Sequence, residues 1–497
     1  MSARRALSIA VALLLCAAIP VRAAGFPPVT IIDSILPGAY GSVPLWSQGT
    51  FGSYIYFNAD DGVNGFELWR TDGTSAGTTL VKDINPTGAT GSNPNFFTVF
   101  GDHLYFSAND GVNGVELWRT DGTSLGTTLV KDIYSDANDS SPSGFIIFGD
   151  YLYFSASDAH GYELWRTDGT SAGTTLVKDI NAIDGTGSYP DHFTLLGDFM
   201  YFSADDGTNG TELWRTDGTA VGTTLVKDIF SGSDSGNPSN LTIVGDTLYF
   251  SANDAAGFEL WRSDGTNAGT TQVKDINAGV DGSNPSNLIV FDGNLYFVAI
   301  DNTNGVELWR SDGTALGTTM VKNISATDDS YPAGFSAFNG FLYFSAADDT
   351  NGNELWRTDG TSAGTTMVAD INPSGPSYPF GMTALGDYLY FAASTGSHYA
   401  LMRVDAANTL ESETLPGTNV GFGCMCSQPL TTLGGRLLVL MYSDETGQEF
   451  ATLEEPTWGL PETNRDKSPW TLAFAVLACA TAVTGGYLRV RNRREIE

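Results

Sequence analysis

One octapeptide, Glu-Leu-Trp-Arg-Thr-Asp-Gly-Thr, constrains the fold of this chain more than any other feature, because it recurs seven times with little change. The tryptophans of the seven copies lie 47 to 49 residues apart, at Trp69, Trp118, Trp165, Trp214, Trp261, Trp309 and Trp356. A fixed period of this length is typical of solenoids, propellers and arrays, in which each repeat is one supersecondary unit. We therefore predict one repeat domain, although 497 residues would ordinarily suggest about three domains.

A single repeat, residues 96–133, contains four short apolar pieces that read FFTVF, HLYFSA, VELWRTD and TTLVKDI. Between them lie Gly-Asp, Asp-Gly and Asn-Gly pairs, which favour tight turns. Four antiparallel strands in 40 to 50 residues are typical of a propeller blade whose first strand is innermost. No helix-period segment separates the pieces, which argues against βαβ units and helical repeats. The sequence thus predicts an all-β, multi-bladed β-propeller.

The number of blades follows from further segments that keep the repeat spacing but no longer match the octapeptide. Met402 stands 46 residues after the last motif tryptophan, and Ala451 stands 49 residues further on in a set that supplies three strands. Residues 31–35 resemble a fourth strand and lie 49 residues before the equivalent segment of the first full repeat. We therefore predict nine blades, with the N-terminus closing the ring. Eight blades with an irregular end, and an unclosed array, are the alternatives.

The charged residues of the motif have a structural interpretation. Strand alternation places Glu116 and Trp118 on one face and Arg119 on the other. We expect the tryptophan to fill the space between blades, and the buried Glu and Arg to pair with Lys131 and Asp132 in a repeated ladder of ion pairs. A sevenfold recurrence favours packing over catalysis, because a catalytic group is needed once.

The two ends of the chain predict export and anchoring. Residues 1–23 have a basic start, an apolar core and a small-residue cleavage site, as in a secretory signal peptide. Residues 24–455 would form the propeller and 456–469 a stalk. The uncharged run 470–488 is about 28 Å long as a helix, enough to cross a bilayer. Because the tail 489–497 is rich in arginine, we expect a single-pass membrane protein with an extracellular propeller and a cytoplasmic C-terminus.

A second interpretation of the C-terminal region involves the pentapeptide 460–464, Leu-Pro-Glu-Thr-Asn. It resembles the LPxTG cell-wall sorting signal, with Asn464 in place of the glycine. The protein would then be attached to the cell wall or secreted, and the propeller would still lie outside the cell.

The formal net charge of −33 excludes one class of partner. Most of the basic residues occupy fixed repeat positions or the extreme C-terminus, so the exposed face is acidic and repels a phosphate backbone. We expect no nucleic-acid partner. Solubility explains the acidity more simply than cation binding does.

The octapeptide resembles the repeat of the bacterial secreted proteins named for an ELWxxDGT motif. Seven copies carry Glu, Leu, Trp, Asp, Gly and Thr at the same spacing, and with their decayed neighbours they span residues 29 to 455. The resemblance implies a surface or secreted repeat protein and brings no agreed activity with it. The strand order is also similar to that of kelch-type blades, which is a likeness of architecture only.

Acidic turns on one propeller face are the candidate metal site. The turns between strands 2 and 3, and the variable links between blades, emerge on this face, and fixed scaffolds with variable loops commonly build binding surfaces. Oxygen-rich loops suit Ca²⁺, whereas the alternative is that Asp-Gly pairs simply form hairpins. Calcium is the one cofactor considered, with the candidate ligands Asp61, Asp110, Asp158, Asp206, Asp254, Asp301 and Asp349.

Catalytic motifs are absent from the sequence. The four histidines fall at unrelated repeat positions, and there is no P-loop or His-Glu-x-x-His motif. The pattern Gly-x-Ser-x-Gly occurs at 73–77, 122–126, 169–173 and 360–364, but in turns between predicted strands and not in the strand-to-helix elbow of a hydrolase. We therefore predict a non-enzymatic cell-surface scaffold for binding or adhesion, with a protein or glycan as partner. The alternatives are an extracellular propeller enzyme, a hydrolase or lyase acting on a polymer, and a self-associating structural surface protein.

Overall fold

The computed structural model describes residues 29–31, 35, 48–87, 91–183, 185–413, 419–420, 430–433, 436–443 and 447–454. The chain divides into two compact units, Met1–Glu454 and Glu455–Glu497, and these residues all belong to the first. Within them, no helix is long and apolar enough to cross a membrane. The predicted signal peptide, stalk, membrane span and basic tail lie outside the described residues.

Eight antiparallel sheets of four strands, called blades 1 to 8 in chain order, follow one another from residue 48 to residue 413. In each blade the strands are hydrogen-bonded in sequence order, as strands 1 to 4. Strands 1 are Gln48–Phe51, Asn95–Phe100, Ser143–Phe148, Asp191–Leu196, Ser239–Val244, Ser286–Phe291, Ala333–Phe338 and Phe380–Leu385. Strands 2 are Tyr54–Asp60, His103–Asn109, Tyr151–Asp158, Phe199–Asp205, Thr247–Asp254, Asn294–Asp301, Phe341–Asp348 and Tyr388–Ser394.

The outer half of blades 1 to 7 carries the octapeptide and the segment that follows it, and blade 8 has the equivalent strands without the motif. Strands 3 are Phe66–Thr71, Val115–Thr120, Gly161–Thr167, Thr211–Thr216, Gly257–Ser263, Gly305–Ser311, Gly352–Thr358 and Tyr399–Asp405. Strands 4 are Thr79–Lys82, Thr128–Lys131, Thr175–Lys178, Thr224–Lys227, Thr271–Lys274, Thr319–Lys322, Thr366–Ala369 and Leu410–Glu413. The four apolar pieces of each repeat are therefore four strands, as the sequence predicts.

A ninth sheet joins two distant parts of the chain. Its strands are Asn419–Val420, Thr431–Leu433, Arg436–Ser443, Gly447–Glu454 and Val29–Ile31. The N-terminal strand pairs antiparallel with Gly447–Glu454, and Thr30 lies opposite Thr452. The described part of the N-terminal strand, Val29–Ile31, begins two residues before the predicted segment 31–35, and residues 32–34 of that segment lie outside the described residues.

The arrangement of the sheets is propeller-like. The first strands of successive blades lie beside one another from blade 1 to blade 8, so the sheets share a common inner side. All regular structure in the described residues is β-strand, which confirms the all-β prediction.

Hydrophobic clusters lie between neighbouring blades rather than within one. Trp118 of blade 2 is 6% exposed and packs in a cluster with Tyr56 and Leu68 of blade 1. The adjacent Leu117 packs on the other side, with Trp165 of blade 3. Burying a side chain of this size contributes about 1.5–3 kcal/mol. The prediction that the tryptophan fills the space between blades is confirmed.

The basic residues of the motif also connect neighbouring blades. Arg119 donates a hydrogen bond to the carbonyl oxygen of Gly169 (2.9 Å), and Lys131 Nζ donates one to the carbonyl oxygen of Thr174 (2.8 Å). Both acceptors lie in or beside the Asp-Gly-Thr turn of the next blade. Lys131 Nζ also lies 5.8 Å from the ring centroid of Trp165. These contacts tie each repeat to its successor.

The predicted ladder of Glu, Arg, Lys and Asp ion pairs is therefore wrong. Glu116 and Arg119 are three residues apart in an extended strand, which separates them by about 10 Å along the blade. The arginine consequently meets the turns at one end of the blade, whereas the glutamate meets the links at the other. Alternation fixes the face on which a side chain lies, but not the end of the neighbouring blade that it reaches.

The Asp-Gly-Thr turn requires its glycine for two reasons. Gly122 has a φ of 94°, and a Cβ there would lie 2.6 Å from the hydroxyl oxygen of Tyr56 in the preceding blade. Hydrogen bonds from the Thr123 hydroxyl and N–H lower the pKa of Asp121 and close the turn. The predicted role of this aspartate in turn formation is confirmed.

Candidate functional site

Seven glutamates, one in each of blades 1 to 7, have no exposed surface. They are Glu67, Glu116, Glu163, Glu212, Glu259, Glu307 and Glu354. In blade 3 the Glu163 carboxylate accepts bonds from the Ile180 N–H (2.9 Å), the Asn181 N–H (3.2 Å) and the Ser188 hydroxyl (2.6 Å). These donors belong to the link between strand 4 of blade 3 and strand 1 of blade 4. The glutamate therefore fixes the link to the sheet.

Burial sets the electrostatics of these carboxyl groups. Loss of solvent raises the pKa of Glu116, Glu212 and Glu307 to about 7, although hydrogen-bond donors from the links oppose the shift. In blade 4 a glycine replaces the serine, so Glu212 accepts the Gly236 N–H (2.8 Å) without the hydroxyl bond found in the other six blades.

The residue that follows the serine or glycine has an unusual conformation. It precedes a buried proline and its φ is 44–49° in all seven links. These pre-proline residues are Asn93, Ser141, Tyr189, Asn237, Asn284, Tyr331 and Tyr378. Left-handed backbone costs a non-glycine residue about 1–2 kcal/mol, and a following proline restricts the backbone further.

The sheet holds the pre-proline residues in place. The Tyr189 N–H donates to the carbonyl oxygen of Tyr162 (3.1 Å), and the Asn93 N–H donates to that of Phe66 (3.0 Å). In both cases the acceptor is the residue before the buried glutamate, so the glutamate and its neighbour hold the link at adjacent points. Strained residues of this kind cluster at functional sites, which directs attention to this face.

A β-bulge next to each pre-proline residue presents a second side chain. In blades 2 to 8 the register between strands 1 and 2 shifts after the first pair, as between Asp191↔Ser203 and Thr194↔Tyr201 in blade 4. The second residue of strand 1 is left-handed in each of these blades. These bulge residues are Phe96, Gly144, His192, Asn240, Asn287, Gly334 and Gly381. Bulges re-aim side chains and are common beside active sites.

An open cavity of about 750 Å³ is lined by the bulge residues of blades 2 to 4 and by one pre-proline residue, Tyr189. Tyr189, which is 61% exposed, stacks on Tyr162 with ring centroids 5.4 Å apart and an interplanar angle of 27°. Phe96, Asp191 and His192 also line this cavity. A second cavity, of about 410 Å³, has Asn284, Asn287 and Tyr331 in its lining.

Two polar side chains in the larger cavity could take part in a reaction. Asp191 and His192 are both exposed, and the backbone N–H of His192 donates to Asp191 Oδ1 at 2.6 Å. An imidazole can accept and donate a proton during a reaction. The other histidines lie elsewhere: His160 contacts Asp158 in the strand 2–3 turn of blade 3, and His103 begins strand 2 of blade 2.

The predicted calcium ligands are in turns. Asp110 Oδ1 accepts the N–H groups of Val112 (2.9 Å) and Asn113 (2.8 Å), and Oδ2 accepts the Asn113 amide (2.7 Å). Partial burial opposes ionisation, but these bonds lower the pKa of Asp110. Asp61, Asp206 and Asp301 make the same turn.

The remaining candidates differ in detail. Asp158 and Asp254 accept the N–H of the second residue after them. Asp349 instead accepts the hydroxyl groups of Ser325 and Thr327 in a link, and Asp348 forms the turn. The seven candidates lie in separate blades, and among the described residues no group of three or more His, Cys, Asp or Glu could hold a metal ion. Calcium binding stays a prediction.

The sequence analysis did not identify the pre-proline residues as a site. The signal was nonetheless present, because each link ends in Ser-x-Pro or Gly-x-Pro, with the serine or glycine 23 to 25 residues after the motif glutamate. Among the histidines, it did not distinguish His192, because only the bulge shows that this side chain belongs to the inner strand of its blade.

No family model and no curated protein matches the chain. The resemblance to ELWxxDGT repeat proteins therefore stays a prediction. The chain is similar to a crystal structure of puromycin hydrolase, with 13% identity and a TM-score of 0.38 over 73% of this chain and 60% of that one. It is also similar to a prolyl endopeptidase structure, with 10% identity and a TM-score of 0.39 over 83% and 55%. The chain thus spans about three fifths of the length of these proteins.

A third similar structure is virginiamycin B lyase from Staphylococcus aureus, with 17% identity and a TM-score of 0.34 over 64% of this chain and 96% of that one. All three neighbours are enzymes, and this finding contradicts the sequence prediction of a non-enzymatic binding or adhesion scaffold. TM-scores below 0.4 transfer no activity, so a catalytic role has to be argued from the residues of this chain.

Proposed function

We propose that the protein is an extracellular propeller enzyme, a hydrolase or lyase, that acts on a polymer at the face formed by the pre-proline and bulge residues. The observation that carries the proposal is the set of seven left-handed pre-proline residues, each preceded by a serine or glycine that is hydrogen-bonded to a buried glutamate. Productive sites need side chains held within about 0.5 Å of their working positions, and a rigid second layer provides this.

The proposal includes a closed ring of nine blades. Leu433 of the ninth sheet packs with Ile55 and Phe57 of blade 1, and Leu437 packs with Tyr390 and Leu401 of blade 8. The ninth sheet therefore contacts both the first and the eighth blade. A closed ring would bring the pre-proline residues of all blades to one common face.

His192 is the proposed catalytic residue, and Asp191 holds the backbone that carries it, because its carboxylate accepts the His192 backbone N–H. In a hydrolase, the imidazole would take a proton from the attacking water and return it to the leaving group. In a lyase, it would take the proton from the carbon next to the bond that breaks. Proton transfer by a positioned side chain contributes about 10²- to 10⁴-fold to rate. The cavity is open, as a site for an extended polymer has to be.

The experiment uses the purified full chain and a panel of polysaccharides and polypeptides. New reducing ends would show glycoside hydrolysis, new amino groups peptide hydrolysis, and ultraviolet-absorbing unsaturated ends lyase action. The variant His192→Asn removes the imidazole but keeps the left-handed backbone, because Asn240 and Asn287 occupy the same position in blades 5 and 6. We expect kcat to fall by about 10²-fold or more in this variant.

The matched control is His160→Asn, which changes a histidine of the blade 3 turn outside the cavity lining. It should retain wild-type turnover. Absence of turnover on every polymer class, or equal turnover by the His192→Asn variant, would refute the assignment.

The extracellular location is part of the proposal and is supported by the signal-like residues 1–23 and the apolar run 470–488. Protease added to intact cells should remove the propeller and spare the C-terminal tail. Protection of the propeller until the cells are lysed would contradict this location.

A further inference from the structure

We infer that the substrate is a glycan without acidic groups, and that Tyr189, Tyr331 and Tyr378 are its sugar-stacking subsites. This inference rests on the proposed function and names the substrate class of the same site. It is carried by the exposure of these tyrosines, by the polar residues at the equivalent positions of the other links and by the distribution of charge.

The three tyrosines are exposed in a way that suits a flat ligand. They are 61%, 60% and 54% exposed, although each has a fixed, left-handed backbone. One face of the Tyr189 ring is covered by Tyr162, so its opposite face is open to solvent. Tyrosine offers a large, rigid and amphipathic surface at low entropic cost. The carbon-bound hydrogens of a sugar ring present a matching apolar face.

The other pre-proline residues supply polar groups at the equivalent positions. Asn93, Asn237 and Asn284 are exposed, and each carries an amide that both donates and accepts hydrogen bonds. Ser141 adds a hydroxyl. Sugar hydroxyls need such groups, so the series contains aromatic positions for ring faces and polar positions for ring edges.

Charge decides against an acidic polymer. Neither cavity has Lys or Arg among its lining residues. Arginines and lysines of the repeats instead donate hydrogen bonds to carbonyl oxygens in or beside the turns of the next blade. These residues are Arg70, Arg119, Arg166, Arg215, Arg262, Arg310, Lys82, Lys131, Lys178, Lys274 and Lys322. With a net charge of −33, the protein repels a polyanion. A neutral glycan or one that carries amino groups meets no such repulsion.

The same cavities suit a glycan better than a polypeptide. Recognition of peptide side chains uses enclosed apolar pockets with a few placed polar groups. The cavities here are open, and their lining offers aromatic faces and amides together with the Asp191 carboxylate and the His192 imidazole in the larger one. Polypeptide binding is therefore the competing outcome of the test.

The test measures the dissociation constant of the full chain by titration calorimetry. Its probes are a neutral glucan oligomer, an amino-sugar oligomer, a polyuronate and an unstructured polypeptide. The variants are Tyr189→Asn and Tyr331→Asn, since asparagine is native to this position in three links. The control is Leu125→Asn, which removes a side chain that is 94% exposed in the Asp-Gly-Thr loop of blade 2. We expect each tyrosine variant to weaken binding of a neutral or amino glycan about 3- to 10-fold.

The outcomes separate this inference from the proposed function. Binding of a neutral or amino glycan that weakens in both tyrosine variants, but not in the control, supports the subsites even if no product appears. Turnover of a polyuronate or polypeptide would uphold the enzyme and overturn the glycan assignment. Unchanged dissociation constants in the tyrosine variants, or no binding of either glycan, would also overturn it.

Discussion

At the scale of the residue, the buried glutamate of the repeat is the most informative position. Its carboxylate accepts hydrogen bonds from the link between two blades and does not pair with a cation among the described residues. Glu116 accepts the Ile133 N–H (2.8 Å), the Ser140 N–H (3.1 Å) and the Ser140 hydroxyl (2.6 Å). The charge is thus held by dipoles of the very segment that presents the pre-proline residue. Its ionisation should affect both the stability of the blade and the order of the link.

The first prediction is that stability falls between pH 5 and pH 8. Burial raises the pKa of Glu116, Glu212 and Glu307 from 4.5 to about 7, so the folded state binds more protons than the unfolded state in this range. The stabilisation is complete below pH 4.5 and is lost as the pH rises through 7. One pKa unit corresponds to about 1.4 kcal/mol. Urea denaturation should therefore give a higher midpoint at pH 5 than at pH 8.

The variant Glu212→Gln tests the assignment of this pH dependence. It removes one titrating group from the blade that already lacks the serine hydroxyl, so the slope of unfolding free energy against pH should become shallower. Asp102→Asn, which changes an exposed carboxyl group in the turn between strands 1 and 2 of blade 2, is the control and should keep the wild-type slope. Equal slopes in all three proteins would show that the buried glutamates do not titrate in this range.

At the scale of the element, the junction between blades distinguishes what the sequence predicted from what it did not. The four strands, the turns and the tryptophan between blades follow from the period and the alternation of apolar residues. The partners of Arg119 and Lys131 do not, because they lie 50 and 43 residues away and are backbone carbonyl oxygens, which leave no compositional signal. For the same reason the sequence analysis could not show that Glu116 bonds to a link.

The pre-proline residues illustrate a different limit. Their recurrence was visible in the sequence, but their left-handed φ was not, because the residue before a proline usually has extended backbone. Tyr189, Asn237 and Ser141 share no side-chain chemistry and resemble ordinary loop variation. Only the structure shows that a common backbone conformation presents them.

The second prediction concerns the lysine of the junction. Lys131→Ala removes the bond to the Thr174 carbonyl oxygen and the contact with the Trp165 ring. A bond from a charged donor contributes about 1.5–3 kcal/mol, and a cation–π contact at an exposed site about 0.5–1 kcal/mol. We expect urea unfolding to show a loss of about 1–3 kcal/mol.

Blade 7 provides the control for this prediction. Ala369 occupies the lysine position there, and blade 8 lacks the Asp-Gly-Thr turn that would accept its bond. Ala369→Lys should therefore change stability by less than about 0.5 kcal/mol. If Lys131→Ala is equally neutral, the lysine does not hold neighbouring blades together.

At the scale of the whole molecule, the ninth sheet links the ends of the propeller domain. Val29–Ile31 pairs with Gly447–Glu454, and Leu433 packs with Ile55 of blade 1. Each of blades 1 to 8 is formed by one continuous segment, so the chain itself connects it to the neighbouring blades. In the proposed closed ring, the pairing of Val29–Ile31 with Gly447–Glu454 joins residues about 420 positions apart by non-covalent contacts.

The third prediction uses this pairing. Thr30 and Thr452 lie directly opposite each other, so the double variant Thr30→Cys and Thr452→Cys should form a disulfide when Cys424 and Cys426 are replaced by serine. Closing so long a loop should stabilise the folded state by about 3–5 kcal/mol, chiefly by restricting the unfolded chain. The oxidised protein should unfold at a higher urea concentration than the same protein after reduction, which serves as its own control. Failure of the cross-link to form, or equal midpoints despite its formation, would show that the first and last strands do not close the ring, and the nine-bladed arrangement would have to be replaced by an open one.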